Sequence, residues 1–366
     1  MRQTSEREVI VVGAGLAGLA AGHALAAGGI RGVLVLESEP ALAVHTSGRS
    51  AGMVRRLVED PWMARLAIEG ADDLAHFGAG FARTGSFLLG ARARVPVAVQ
   101  RAVPHRFLTF ARAAARVPLL AGHGGGTSSV LETPDDGVVD VPVLLRAFTD
   151  RIADAGGEVQ LARLVEDVRI EGDRVVGVVV AGETLRARHV VLAVGAWAAE
   201  WGQRIRAPLA LQARRRHVVC TGPPAGVPIA GWPWVWDLEG DFYFRPLGDA
   251  ELLWSPCDDR DATGEPARSD AEAPAWLAAK LQRSLPAAAA LPVTRTWAGH
   301  RTFAADGRVM TGPDPRIHGL HWAVGLGGHG VAICMALGRR VAWGVASGAG
   351  RIEAPYRVRI SSAATA

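Results

Sequence analysis

The sequence predicts an α/β + α+β fold in which a parallel-sheet domain and an antiparallel-sheet domain are interleaved along one chain. Three observations carry this: a βαβ unit opens the chain, a β-meander returns to a parallel strand before residue 195, and two intervening stretches have antiparallel texture. At 366 residues, with 49% hydrophobic and 21% charged residues, the chain is long enough for two domains with sizeable cores.

The opening run "EVIVVGAG" is apolar, β-branched and ends in glycine, "LAGLAAGHALAAGG" is an Ala/Leu helix closed by a Gly pair, and "GVLVLES" is a second apolar strand. Gly13, Gly15 and Gly18 form G-x-G-x-x-G at the strand-to-helix turn. There they permit the tight turn, close backbone approach to a pyrophosphate, and close packing of helix on strand. The helix N-terminus then offers unpaired N–H groups to the phosphates. Glu37 ends the second strand 19 residues after Gly18, where a carboxylate accepts hydrogen bonds from ribose hydroxyls. A Rossmann-type dinucleotide site follows, with NAD(P) and FAD both open at this point.

Farther along, "VPVLLRAFTDRIADAGG" has helical spacing, and residues 165–197 give three short alternating segments broken by "EGD" and "AGE", followed by a buried strand. This interruption of the βαβ repeat favours a flavoprotein plan. Residues 51–134 and 201–296 hold the antiparallel candidates, including the hairpin "DFYFRP" and "AELLWSP" across "LGD". Near the C-terminus, a strand runs into Gly325, Gly327, Gly328 and Gly330 before an amphipathic helix, making a second helix N-terminus able to receive negative charge, such as that of reduced flavin.

The formal charge is +4 and Lys280 is the sole lysine, so no Lys/Arg-dense tract points to nucleic acid. Cys220, Cys257 and Cys334 are far apart without C-x-x-C spacing, which argues against a zinc site or disulfide framework and for a reducing compartment. The apolar N-terminus follows Glu6 and Glu8, and its glycines keep motif spacing, so we read it as folded structure in a cytoplasmic protein without a membrane span.

Several blocks in order, "VIVVGAGLAGLAAGHAL", "HTSGRSAG", "VVLAVGAWA", "QARRR", "FYFRP", "TWAGHRTFAADG" and "GLHWAVGLGGHG", resemble the D-amino acid oxidase superfamily of FAD-dependent amine oxidoreductases. The resemblance is greatest to its D-arginine dehydrogenase, glycine oxidase and sarcosine oxidase types. It implies a GR2-type Rossmann FAD-binding domain (1–50, 135–200 and 297–355), an antiparallel-sheet substrate domain (51–134 and 201–296) and a tail, 356–366.

It further implies that Gly13, Ala14, Gly15, Leu16, Ala17 and Gly18 hold the pyrophosphate, Glu37 and Ser38 the ribose, and Val165 the adenine. Ser47, Gly48, Arg49, Ser50, Ala51, Gly52 and Met53 would lie along the pyrophosphate and flavin edge. Ala193, Gly195 and Trp197 from one turn, and Gly327, Gly328, His329, Gly330 and Val331 from another, would complete the cofactor contacts. By the same resemblance, Arg301 clamps the substrate carboxylate and also borders the cofactor, Tyr243 faces the same carboxylate, and His45 and His329 border the reacting centre. Arg215 or Arg216 matches a second pocket arginine, and the alternating Trp232, Trp234 and Trp236 suggest an apolar or aromatic substrate side chain, with Trp234 as its contact.

The implied reaction is oxidative deamination of an amino acid or related amine, of the D series by resemblance. Hydride passes from Cα to flavin N5, and the imine is hydrolysed to a 2-keto acid and ammonia. Electrons then pass to O2 or to a quinone or carrier. A flavin-dependent 2-hydroxyacid oxidoreductase and an enzyme oxidising a cyclic imino acid or bulky amine remain open. Two departures matter. The segment "FARTGSFLLGARARV" has no Asp or Glu where the branch acting on cationic substrates carries one, and Gly299 stands where sarcosine oxidases attach flavin through cysteine, so non-covalent FAD is expected.

Overall fold

The structure is a computed structural model describing residues 6–90, 96–124 and 129–360. The last part of the acid-free segment, 91–95, and the end of the tail, 361–366, lie outside the described residues.

The apolar run Arg7–Val12 is the hub of an eight-stranded sheet, pairing in parallel with Val33–Leu36 on one side and with Glu183–Leu192 on the other. Glu158–Gln160 extends one edge in parallel, while Leu320–Val324 pairs in parallel with Glu183–Leu192. The meander Asp167–Glu171, Arg174–Val180 and Glu183–Leu192 is antiparallel, as its alternation predicts. Its third segment and the buried strand are, however, one strand of ten residues, because "ETLRARHVVL" contains no turn residue to divide them. The outer half therefore belongs to the meander and the inner half to the parallel sheet.

One face of this sheet is covered by the helices Leu16–Ala27, Val141–Asp154 and Gly330–Ser347, which share a core with Val9, Val11, Val33 and Val35. The helix Pro61–Phe77 joins the same core through Met63, Leu66, Ala67, Ala71 and Leu74. Its place is a departure from the expected boundary at residue 51. An Asp60 side chain caps this helix at Trp62 N and Met63 N, both 2.9 Å, and its apolar stripe packs on the C-terminal helix rather than on the antiparallel sheet.

A nine-stranded sheet forms the second body, its strands running Arg260–Ala262, Leu211–Thr221, Glu251–Ser255, Phe242–Leu247, Trp234–Asp237, Ser86–Leu89, Ser129–Thr133 and Arg106–Thr109. The predicted hairpin is present, with Phe244 opposite Trp254. Val293–Ala304 pairs antiparallel with Leu211–Thr221 along nearly its whole length, so residues 297–304 belong to this sheet and not to the Rossmann body, as the boundary at 297 had placed them. The alternation "VTRTWAGHRTFA" is unbroken at 297, and the strand simply continues. This long pair sets Arg216 opposite Gly299 and Arg214 opposite Arg301, which places Arg216 and Arg301 on one face of the sheet.

Candidate active site

At the first turn Gly13 has φ +100°, and a Cβ there would lie 2.7 Å from the Ala193 carbonyl oxygen, while a Cβ at Gly18 would run into the carbonyl of Gly13. Only glycine fits either position. The helix beginning at Leu16 has Gly15 as its N-cap, with no capping side chain from that residue and no acid in its first turn. Its positive end is thus left for an anion. Ser47 Oγ accepts from Leu16 N at 3.0 Å, and Glu37 Oε2 accepts from Ala14 N at 2.7 Å. The other Glu37 oxygen accepts from Ser38 Oγ and from Glu39 N.

The loop 45–53 is stitched to the antiparallel sheet. Arg49 donates to the carbonyls of Val44 (3.0 Å), Ala267 (2.6 Å) and Ala298 (3.3 Å), and its own carbonyl accepts from Trp297 Nε1 at 2.9 Å. Ser50 Oγ accepts from Gly52 N, and the Ala51 carbonyl accepts from the half-buried Arg245 guanidinium. A Cβ at Gly48 would collide with Ala43 O, so this residue shapes the loop.

One cavity runs from Gly15, Leu16 and Ala17 past Ser47, Arg49, Ser50, Ala51 and Met53 to Ala193 and Gly195. It continues between the two bodies to Arg216, Tyr243 and Arg301 on the sheet side, and to Gly328, His329, Gly330 and Val331 at the start of the C-terminal helix. That helix also lacks a capping side chain on its N-cap, His329, and an acid in its first turn.

The charged lining is one-signed. Arg49, Arg55, Arg216 and Arg301 line the cavity, and no Asp or Glu among the described residues does. Arg301 has no hydrogen-bond partner among the described residues, and burial, with Arg216 nearby, lowers its pKa. Its guanidinium packs against the glycine turn, where a Cβ on Gly328 would sit 2.8 Å from Arg301 Nε. His329 is driven to about 4, first by burial and then by Arg55 and Arg301, so it is neutral at pH 7, and its Nδ1 is buried without a partner. Tyr243 contacts Trp236 edge-on at 5.3 Å.

Several expected residues lie elsewhere. His45 is absent from the lining: its Nε2 is 2.8 Å from Glu39 Oε1 and its ring meets Trp197 edge-on at 4.9 Å. Arg215 points to the other face of its strand and pairs with Asp270 at 2.7 Å, as the two-residue period demands once Arg216 faces the cavity. Trp234 is 0% exposed in the core, and Trp236, two residues on, is the tryptophan that lines the cavity. Gly52, Trp197 and Gly327 stand behind the wall, and Val165 is buried behind the parallel sheet with Ile10 and Leu34. The sequence reading missed Arg55, His300 and Thr302 as lining residues. "MVRRLV" offers only an arginine pair after the loop as a signal, and nothing local says that Arg55 turns inward while Arg56 turns to Asp136.

Among the described residues no cluster of three or more His, Cys, Asp or Glu suits a metal ion, and no helix is long and apolar enough to cross a membrane. The cysteines are buried and free, burial pushing Cys220 to about 11 and Cys334 to about 12. Lys280 bonds Asp241 at 2.7 Å and does not line the cavity.

A glycine turn sparing room for a pyrophosphate, leading into a cavity that ends at a second open helix terminus, fits an extended dinucleotide with a flat ring at its far end. Residues 8–343 match the family model described as FAD dependent oxidoreductase. Over 364 residues the chain is 27% identical to a 4-methylaminobutanoate oxidase (formaldehyde-forming) of Paenarthrobacter nicotinovorans, aligning 93% of this chain but only 43% of that protein. The chain therefore spans less than half the length of that curated relative. Among solved structures, glycine oxidase from Geobacillus kaustophilus superposes with a TM-score of 0.81 at 25% identity, covering 97% of this chain and 98% of the other. L-proline dehydrogenase from P. horikoshii gives 0.83 at 22% identity, with 92% of each chain covered, a likeness of fold. On the family match, the chain belongs to the FAD-dependent oxidoreductases of the D-amino acid oxidase type, and FAD is its cofactor.

Proposed function

We propose that this protein oxidises the Cα–N bond of an amino acid or related amine whose carboxylate is held by Arg301. The observation that carries this is the Arg301 guanidinium, desolvated in a cavity without Asp or Glu and without a protein partner among the described residues. A half-buried guanidinium without a protein partner is left with free donors, and a bidentate carboxylate satisfies them. Tyr243 supplies a hydroxyl on the same wall, and Arg216, whose Nε is taken by Asp258 O at 2.8 Å, turns its remaining donors to the cavity.

In this reading Gly15, Leu16, Ala17 and Ser47 hold the cofactor pyrophosphate and the Gly328–Val331 turn borders its ring; when bound, FAD supplies the hydride acceptor. The arginines fix the substrate through its carboxylate and set Cα against the ring. Their positive field also disfavours an ammonium, so the substrate amine gives up its proton to solvent on binding. With the amine neutral, loss of hydride from Cα to bound FAD would leave an iminium that gives up one of its two nitrogen protons to solvent, and the imine would add water to give a 2-keto acid and ammonia. His329, neutral at pH 7, adds no further positive charge beside the amine. The sarcosine oxidases that the chain resembles use a lysine near flavin N5 to activate oxygen; here the only lysine, Lys280, is held by Asp241 outside the cavity, which favours re-oxidation by a quinone or carrier.

Anaerobic mixing of the yellow holoenzyme with D-amino acids, L-amino acids, sarcosine and 2-hydroxyacids tests the reading. Flavin bleaching by one or more amines supports it and reports the stereochemistry. Bleaching by 2-hydroxyacids alone overturns it.

A further inference from the structure

We infer that the substrate carries a second anionic group besides the carboxylate assigned to Arg301, and that Arg55 receives it. The inference rests on the proposed carboxylate role of Arg301 and narrows the substrate class to dicarboxylic amino acids, or amines bearing a carboxylate on a side chain or N-substituent.

Arg55 follows the short strand Met53–Val54, directly after the cofactor loop, and it is 5% exposed. Its neighbour Arg56 turns away, pairing with Asp72 at 3.1 Å and Asp136 at 3.5 Å, whereas Arg55 lines the cavity. One Arg55 nitrogen, Nη2, bonds Glu59 at 2.8 Å, but that carboxylate lies outside the lining with a side chain 44% exposed, and it engages only this corner of the guanidinium. The Nε of Arg55 is buried and has no partner, which leaves a charged donor unmet inside the protein.

The guanidinium sits 4.7 Å from the centre of the Trp236 ring. The aromatic face that the tryptophan alternation suggested for an apolar substrate side chain is thereby covered by a cation. Arg55 and Arg301 line the same cavity as His329, and both lower its pKa. A single bidentate carboxylate meets Arg301 and leaves Arg55 short of a partner. A dianion meets both: no Asp or Glu among the described residues lines the wall, and the carboxylate that Arg55 bonds, Glu59, lies outside it.

Redox-inert anions separate this inference from the chemistry proposed above. The oxidised holoenzyme is titrated with acetate and with succinate while the flavin spectrum is followed, a readout independent of whether amines are oxidised. Succinate is expected to bind at least ~10-fold tighter than acetate, the increment of one further charged contact. In Arg55→Met, which keeps a long apolar stem against Trp236, the succinate-to-acetate ratio is expected to fall to about one, and Arg55→Lys to recover part of it. Equal binding of the two anions by the wild-type protein overturns the inference without any variant, as does a ratio unchanged in Arg55→Met. If the ratio behaves as expected but no amine bleaches the flavin, the second anion site stands and the amine reading falls.

Discussion

The two ends of the cavity are built from different materials. At the cofactor end the wall is largely main chain: the turn around Gly13 and Gly18 leaves no room for a Cβ, and the helix terminus beyond it has no acid in its first turn, the Ser47 hydroxyl accepting from Leu16 N. At the substrate end the wall is long side chains, Arg55, Arg216 and Arg301, delivered by a short strand and by the paired strands Leu211–Thr221 and Val293–Ala304. Main-chain recognition reads a pyrophosphate common to one cofactor and tolerates almost no substitution. Side-chain recognition is replaceable residue by residue, so one fold can serve different substrates at one end while keeping the same cofactor at the other.

The largest effect should come from the main-chain end. Gly18→Ala places a methyl against the Gly13 carbonyl and pushes the helix off its strand, so the variant is expected to purify without bound FAD. A yellow Gly18→Ala protein with unchanged melting temperature would show that the turn has slack the structure denies it. Next in size is the side-chain end. Arg301→Ala should stay yellow and raise the substrate KM at least ~100-fold, the scale of one or two charged hydrogen bonds. Its control is Arg215→Ala, which removes a partly exposed pair with Asp270 on the opposite face and should change KM by no more than ~2-fold. Equal effects of the two would break the assignment of Arg301, and loss of FAD from Arg301→Ala would dissolve the distinction between the ends.

The same contrast explains what could be read from the sequence. Gly13, Gly15, Gly18 and Glu37 were legible because a main-chain site forces residue types at fixed local spacing. The meander and the "FYFRP" hairpin were legible through their period of two. The substrate end depends on which face of a strand turns inward, and that is fixed by partners far away in sequence. "QARRR" therefore left Arg215 and Arg216 open until the pairing of Arg216 with Gly299 placed it beside Arg301. Trp234 was chosen over Trp236 for the same reason: both share a face of one strand, and only the depth of the sheet decides which reaches the core. Arg55 left almost no signal, because a buried arginine and a surface arginine look alike in sequence. His45 came from the resemblance, and its pairing with Glu39 is a local contact that the loop sequence does not announce.

The smallest effect tests the electrostatics where the ends meet. His329 is depressed from 6.5 to about 4 by burial and by the cations Arg55 and Arg301. Between these values the unfolded chain binds a proton that the native protein refuses, so this group contributes nothing adverse above pH 6.5 and costs stability as the pH falls toward about 4. The slope is at most about 1.4 kcal/mol per pH unit. His321, pushed to about 3 by burial beside His189, acts in the same direction but lies outside the cavity, so it contributes equally to wild type and to a His329→Asn variant. Denaturant titrations at pH 7 and pH 5 should therefore show a smaller loss in His329→Asn than in wild type. Saturating succinate should also reduce the wild-type loss, because an anion on Arg301 and Arg55 cancels part of the field that keeps His329 neutral. An identical pH dependence in the two proteins, with and without the anion, would mean that His329 does not feel the arginines and that the substrate end is less positive than its lining implies.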